Sequence, residues 1–375
     1  MRPTPFPAFL LSLLASFASP GADAYTPLST SLLKSLPQPK TSDYDITSGS
    51  LLAPLLIPRV PGTEGQLRAQ SHLADFFRTH LPQWELLWQN STSTTPATGS
   101  TQVPFANLIL RREPPWTKRR GPGEAGYLTL VAHYDSKREP EGFVGATDSA
   151  APCAVLMDVA RAVEGYLVRK WKHEEEEEEK KAGKGPGRLS WQGVQILFLD
   201  GEEAFVSWTD TDSLSLAEEW ESTTYPAMST FKNPLQQISL FVLLDLLGAK
   251  HPQIPSYFQN THWAYQRMSV LEGRLRELGL LESEKGPKPF LPEGGKLATS
   301  FNGRSFVGDD HVPFMMRGAP VLHLIPAPFP DVWHTMEDDG EHLDIATVKD
   351  WARIVTAFTL EWMDVQNSEP MGDGA

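Results

Sequence analysis

Short apolar segments alternate with amphipathic segments along most of the chain. Apolar side chains that recur near helical spacing predict helices at 65–80, 150–166, 262–280 and 345–363. Segments that are apolar almost throughout, and rich in strand-forming residues, predict strands at 106–110, 127–132, 194–199, 238–244 and 320–324. Strands that alternate with helices form a mostly parallel sheet with helices on both faces. We therefore predict an α/β fold with three layers.

Two segments interrupt this alternation. Residues 113–126 are rich in proline, glycine and arginine, which predicts an exposed loop between two strands. Residues 170–187 contain six consecutive glutamates followed by lysines and glycines. Such a segment cannot bury apolar surface, so we predict a solvated loop inserted at 170–190.

Composition and charge narrow the class of protein. The 375 residues, 40% of them hydrophobic and 10% aromatic, can fill the core of one large domain. A formal net charge of -14 would repel phosphate backbones, so we expect no nucleic-acid partner. Cys153 is the one cysteine, which excludes an intramolecular disulfide and a cysteine-rich structural zinc site.

The first 24 residues have the pattern of a signal peptide. A basic Arg2 precedes an apolar run at 8–17 and small residues that end at Ala24. The run is shorter than the roughly 18 residues of a spanning helix, so we expect secretion without stable membrane insertion, the alternative being a Golgi or ER anchor. Asn90 lies in a glycosylation sequon that predicts a surface loop. We expect one catalytic domain at 25–365 and a flexible tail at 366–375.

Acidic and imidazole side chains follow the predicted strands where they end. The carboxyl ends of parallel strands meet at one edge of a sheet, and open α/β sheets bind ligands there. Aspartate, glutamate and histidine suit zinc, and three such ligands with an open fourth position are typical of a catalytic site. The candidates are His133, Asp135, Asp148, Glu202, Glu203, Asp245 and His334.

The adjacent Glu202 and Glu203 allow two roles at one place. Neighbouring side chains in an extended turn point in different directions, so one can bind a metal ion while the other faces the substrate as a general base. Trp208 follows this pair, and Phe329 and Trp333 lie beside His334 in a proline-rich stretch. These aromatic residues favour a rigid apolar wall around a small substrate group.

Several motifs resemble those of the animal-type glutaminyl cyclases, in order from about Leu51 to Met363. The matching stretches are His133-Tyr134-Asp135-Ser136-Lys137, Gly142-Phe143-Val144-Gly145-Ala146-Thr147-Asp148-Ser149-Ala150, Asp200-Gly201-Glu202-Glu203-Ala204-Phe205, Leu244-Asp245-Leu246, Asp309-Asp310-His311, Val321-Leu322-His323-Leu324-Ile325-Pro326 and Val332-Trp333-His334-Thr335. Cyclases of this family often pair a cysteine just before the first stretch with the counterpart of Cys153, but Ala132 stands there in this chain.

The resemblance implies a fold related to the zinc exopeptidases and a role for each matching residue. It implies one zinc ion bound by Asp148, Glu203 and His334. It also implies proton transfer by Glu202, with the carboxyl groups of Asp245 and Asp309 hydrogen-bonded around it. The implied substrate pocket comprises Trp208, Phe329, Trp333 and, at its side, His323.

The implied activity is the zinc-dependent cyclisation of N-terminal glutamine to pyroglutamate, with release of ammonia. We expect a monomer that acts on peptides or proteins with N-terminal glutamine, or alternatively glutamate. A secreted zinc aminopeptidase remains an alternative, because His133 and Asp245 lie where that related family places ligands of a second metal ion that Asp148 could share. A non-catalytic binding protein of the same fold would be expected to lack a ligand or the glutamate pair, and this chain lacks neither.

Overall fold

The computed structural model describes residues 26–94, 98–180, 189–203, 212–301 and 307–365. The predicted signal peptide and C-terminal tail lie outside these residues. The described strands are β1 (Glu85–Thr94), β2 (Gln102–Arg112), β3 (Gly126–His133), β4 (Gln192–Leu199), β5 (Ile238–Leu244) and β6 (Val321–Leu324). The described α-helices are α1 (Thr30–Ser35), α2 (Glu64–His80), α3 (Pro115–Arg120), α4 (Ala151–Lys180), α5 (Asp212–Ser222), α6 (His262–Glu277), α7 (His311–Met316) and α8 (Ile345–Trp362).

The strands form one mixed sheet in the order β1-β2-β4-β3-β5-β6. Strands β3, β4, β5 and β6 are parallel to one another, whereas β2 pairs antiparallel with β4 and with β1. All eight residues of β3 are buried, as expected for a central strand with helices on both faces. The predicted α/β fold with a mostly parallel mixed sheet is therefore confirmed.

Alternate side chains of the central strands enter two different cores. On β3, Leu128 and Leu130 belong to the larger core, whereas Val131 belongs to the smaller one. The larger core receives α2, α4, α6 and α8, and the smaller one receives α5 and α7. This alternation follows from the two-residue period of a strand and produces the three layers.

Helix α4 is longer than predicted. The prediction ended it at 166 and began a solvated loop at 170, which is wrong for residues 170–180, because α4 continues to Lys180. Trp171 extends the buried face, and the Glu174 carboxylate accepts a hydrogen bond from the Ser190 backbone at 3.0 Å. Glutamate and lysine are good helix formers, so a charged sequence can continue a helix whose first half is anchored. Residues 181–188 lie outside the described part.

Asn90 and the segment 113–126 also differ from prediction. Asn90 is exposed on the edge strand β1, not in a loop, and segment 113–126 contains the short helix α3. Strand β1 was not predicted, because an edge strand with mixed polar and apolar residues shows little hydrophobic periodicity. Among the described residues, no helix combines the length and the apolar character that crossing a membrane requires.

Candidate metal centre

The candidate site lies at the carboxyl ends of the parallel strands. His133 ends β3, Glu202 and Glu203 follow β4, and Asp245 follows β5. His334 lies in the loop after β6, and Asp148 lies just before α4. The parallel arrangement brings these distant parts of the chain together, as predicted for this edge of the sheet.

The loop that carries Asp148 is held by its backbone. Gly145 has a left-handed φ of 63°, and a Cβ atom there would lie only 2.1 Å from the carbonyl oxygen of Asp148, so glycine is required. The backbone amides of Ala146 and Thr147 donate to the carbonyl and the carboxylate of Asp338 at 3.0 and 2.7 Å. These bonds connect the Asp148 loop to the segment that follows His334.

Asp148, Glu203 and His334 converge on one point. Nε2 of His334 lies 2.7 Å from Oε1 of Glu203 and 3.6 Å from Oδ2 of Asp148. One ligand atom from each of the three residues lies within 4.8 Å of the others. The Oδ2 atom of Asp148 is buried and makes no hydrogen bond of ordinary geometry to any described residue. Two carboxylates and an imidazole around such an oxygen fit a divalent cation such as zinc.

The pKa values of Asp148 and Glu203 also favour a bound cation at this site. Burial, followed by the nearby Glu203 and Asp245 carboxylates, raises the pKa of Asp148 well above its usual range. Burial opposes ionisation of Glu203 as well, but hydrogen bonds to His334 and Asp148 lower its pKa to about 2. Without a cation, the two acids cannot both ionise at little cost, because like charges in a buried site repel each other. A bound cation would remove that conflict.

A second set of three ligands shares Asp148. Nε2 of His133 lies 3.0 Å from Oδ1 of Asp148 and 3.4 Å from Oδ1 of Asp245. Burial disfavours the charged imidazole, but contacts with Asp135, Asp148 and Asp245 raise the pKa of His133 well above its usual value. His133, Asp148 and Asp245 could also hold a metal ion, so the geometry leaves room for one ion or two.

Glu202 lies beside this centre and lines the same cavity as Glu203 and His334. Burial, then the charges of Glu203 and Asp309, raise its pKa well above the usual range. The backbone amides of Glu202 and Glu203 donate to the two carboxylate oxygens of Asp135 at 3.2 and 3.0 Å. Asp135 therefore fixes the turn that carries the two glutamates.

A cavity of about 220 Å³ opens over these groups. Asp245 and Asp309 line it with the glutamates, and Phe329 and Trp333 form an aromatic wall. The ring of Trp333 stacks on His334 with centroids 3.9 Å apart, and Phe329 meets Trp333 edge to face at 4.8 Å. The predicted pocket residue Trp208 lies outside the described residues.

His323 reaches the cavity only through a neighbour. It is buried, and its Nε2 lies 2.7 Å from Oδ2 of Asp309. Its ring also contacts those of His311 and Tyr257. The structure thus places His323 behind Asp309, although the resemblance implied a place at the side of the substrate pocket.

Two residues near the centre had no role in the sequence interpretation. Lys137 lines the cavity, with Nζ 3.5 Å from Oε2 of Glu203. Arg59 is fully buried and donates to the backbone carbonyls of Tyr134, Val144 and Gly145, among others. Lys137 could have been noticed in the motif that begins at His133. A single arginine outside any motif gives no such signal, because arginine usually lies on the surface.

Three comparisons with known proteins agree with this geometry. The model of peptidase family M28 matches residues 116–359. The fold and the candidate metal centre described above are consistent with that class of protein. The chain is 38% identical over 320 residues to a glutaminyl-peptide cyclotransferase from Bos taurus, spanning 83% of this chain and 80% of the relative. A glutaminyl-peptide cyclotransferase from Boiga irregularis is 36% identical over 323 residues, spanning 84% and 80%.

The crystal structure of Macrostomum lignano glutaminyl cyclase superimposes with a TM-score of 0.73 at 27% identity, covering 94% of this chain and all of that one. The chain belongs to the glutaminyl-peptide cyclotransferase family, a group of enzymes within the M28 fold. The resemblance drawn from the motifs is thereby confirmed.

Proposed function

We propose that this enzyme cyclises the N-terminal glutamine of peptides to pyroglutamate and releases ammonia. The observation that supports this most directly is the convergence of Asp148, Glu203 and His334 beside a fourth group, the half-buried Glu202. Metal ligands, a proton-transfer group and an aromatic wall together suit acyl transfer within one small substrate group.

Asp148, Glu203 and His334 would hold one zinc ion. When bound, zinc would supply a Lewis acid that polarises the γ-carbonyl of the glutamine side chain. The donor set of two carboxylates and one imidazole is typical of catalytic rather than structural zinc. We assign the ligand roles to these three residues on this basis.

Glu202 would move the proton that ring closure requires. The α-amine attacks the γ-carbonyl carbon, the bond from that carbon to the amide nitrogen breaks, and ammonia leaves. One proton passes from the amine to the Glu202 carboxylate and then to the departing nitrogen. A raised pKa suits this exchange, because the carboxyl group must accept the proton and also return it. Asp245 and Asp309, which line the same cavity, would orient Glu202 and the amine.

Phe329 and Trp333 would hold the substrate in a reactive arrangement. The cavity of about 220 Å³ has room for one small side chain with its amine. Packing the glutamine against the aromatic wall would keep amine and amide together and reduce competition from water. Such confinement favours cyclisation over hydrolysis.

The assay for this proposal measures ammonia release from a peptide with N-terminal glutamine, with and without a chelator. Glu202→Gln should retain bound zinc and lose activity, whereas His334→Ala should lose the metal as well. Ammonia release that survives both the chelator and Glu202→Gln would rule out this mechanism. N-terminal glutamate peptides release water rather than ammonia on cyclisation, so formation of pyroglutamate, measured in parallel, shows whether this second substrate class is used.

A second candidate is a two-metal aminopeptidase, which the set of His133, Asp148 and Asp245 favours. The two proposals differ in stoichiometry and product. One zinc ion per chain with ammonia from glutamine peptides supports the cyclase, whereas two ions with leucine release from leucine amide supports the peptidase.

We further propose that the protein is exported and acts as a monomer. The sequon residue Asn90 is exposed on the edge strand β1, where a glycan would be accessible and would block pairing with another sheet edge. Expression in secreting cells should place the protein in the medium, and Asn90→Gln should increase its electrophoretic mobility. Unchanged mobility, or retention in the membrane fraction, would contradict this assignment, and a dimer in light scattering would contradict the monomer.

A further inference from the structure

A second cavity of about 380 Å³ lies next to the catalytic one. Phe329 contributes to the walls of both cavities. The same two loops border both, namely the loop after β5 and the loop after β6. We refer to this second cavity, lined by residues of 249–253 and 326–332 together with His342, as the proline groove.

Part of the wall of the proline groove is apolar and conformationally restricted. Pro252, Pro326, Pro328 and Pro330 line it together with Val332. Proline has little conformational freedom to lose, so such a surface binds at low entropic cost. The Ala327 amide donates to the Gln253 carbonyl at 2.8 Å, which connects the two loops across the floor.

Two charged groups at the groove have no partner within the described residues. Lys250 is exposed on the loop after β5, and Asp331 is exposed on the loop after β6. Neither forms an ion pair with any described side chain, whereas His342 is paired with Asp339 at 2.8 Å. Lys250 is thus a local cation available to a ligand, in a chain whose net charge is -14.

We infer that the proline groove binds the third and fourth residues of the substrate peptide, favouring an apolar side chain there with an acidic neighbour. This inference rests on the proposed cyclisation of N-terminal glutamine. With the glutamine in the catalytic cavity, a chain that leaves on the side of Phe329, which lines both cavities, would enter the groove. Two extended residues advance the chain roughly 7 Å, about the width of one aromatic side chain, which brings the next positions to the groove.

The side chains that line the proline groove determine which peptide residues it favours. Apolar walls gain most from a large apolar side chain, because its burial removes surface from water. Lys250 would attract a carboxylate beside it at the rim, with the modest strength of an exposed ion pair. A basic neighbour beside Lys250 would meet the repulsion of the same ammonium. Asp331, on the other loop, would act in the opposite sense on a neighbour that lies beside it, so the proposed acidic preference applies to the Lys250 side of the groove.

Synthetic peptides provide the first test, with ammonia release as the readout. The set is Gln-Gly, Gln-Gly-Gly-Gly-Gly, Gln-Gly-Phe-Gly-Gly and Gln-Gly-Gly-Phe-Gly. We expect kcat/KM of the better phenylalanine peptide to exceed that of the all-glycine pentapeptide by about tenfold. Equal values for all three pentapeptides would overturn the inference. Absence of ammonia from every peptide, Gln-Gly included, would instead overturn the proposed function.

A charge reversal provides the second test. In Lys250→Glu, kcat/KM for Gln-Gly-Phe-Glu-Gly should fall about threefold at low ionic strength, with Gln-Gly unaffected. Lys34→Glu makes the same change on α1, where the side chain is exposed and lies outside the groove, and should leave both substrates unaffected. An equal loss in the two variants, or an equal loss for Gln-Gly, would contradict a role for the groove.

Discussion

Asp135 shows how one carboxylate can organise the centre without touching the proposed zinc ion. Its oxygens accept the amides of Glu202 and Glu203, and Oδ1 lies 3.4 Å from Nδ1 of His133. It therefore fixes three candidate functional residues at once. The sequence correctly predicted the edge of the sheet at which Asp135 lies. The backbone amides that Asp135 binds depend on a turn that no spacing rule predicts.

The residue-scale prediction concerns Asp135→Asn. The new amide group would oppose one of the two backbone N–H donors, so the turn would shift and the glutamates would be misplaced. We expect kcat/KM to fall by about 10- to 100-fold, the usual effect of removing an orienting partner near a metal. Steady-state ammonia release and zinc affinity would measure it. The exposed Asp75→Asn serves as the control, and full activity in Asp135→Asn would refute the orienting role.

Arg59 stabilises the backbone that carries the candidate ligand Asp148. Its guanidinium donates to backbone carbonyls near both ends of the loop that connects β3 to Asp148. Burial lowers the pKa of this arginine, and the negative charges of Asp135 and Asp148 oppose that shift. A buried cation that meets carbonyl oxygens replaces the solvation it has lost, which explains why an isolated arginine tolerates this position.

For Arg59→Met we expect a loss of about 3 kcal/mol or more in the free energy of unfolding, since several buried carbonyls lose their donor. Arg59→Lys should recover part of that loss, because an ammonium has three donors where the guanidinium has five. Urea unfolding of both variants measures the difference. A loss below about 0.5 kcal/mol in Arg59→Met would mean that water or other donors satisfy these carbonyls.

At the scale of elements, hydrophobic periodicity located the central strands and the long helices to within a few residues. Hydrophobic periodicity did not reveal segments of helix or strand that are highly charged or short. Helix α4 runs 14 residues past its predicted end at 166, to Lys180, because Leu167 and Trp171 continue its buried face beneath a charged surface. Strand β1 and helix α3 were missed because each depends on tertiary partners more than on local pattern.

Helix α4 provides the element-scale prediction. Trp171 is buried, and the guanidinium carbon of Arg112 lies 4.9 Å from its ring centroid. Trp171→Ala should lower the free energy of unfolding by about 3–5 kcal/mol if the extension is anchored as described. Val168→Ala, one turn away at a side chain that is 43% exposed, should change it by less than about 1 kcal/mol. If both substitutions changed the free energy of unfolding by similarly small amounts, this part of α4 would not be packed against the rest of the protein.

At the scale of the whole molecule, the site is a product of topology. Asp148, Glu203 and His334 are far apart in sequence, and only the parallel order of β3, β4, β5 and β6 brings their loops together. The sequence could indicate the edge of the sheet and, by resemblance, the ligand set. By resemblance it also indicated the second set of possible ligands, His133, Asp148 and Asp245. It could not indicate the second cavity beside Phe329, because that cavity depends on how loops from separate strands pack.

In this topology the proposed zinc ion would link three loops, and zinc removal should therefore weaken the fold. At free zinc 1,000-fold above its dissociation constant, binding would add about 4 kcal/mol to the free energy of unfolding. A chelator should remove that increment and lower Tm, and added zinc should restore it. In His334→Ala the increment should largely disappear, while the metal-free form should match the metal-free parent. A chelator that leaves Tm unchanged in the parent would show that these loops are not joined by an ion.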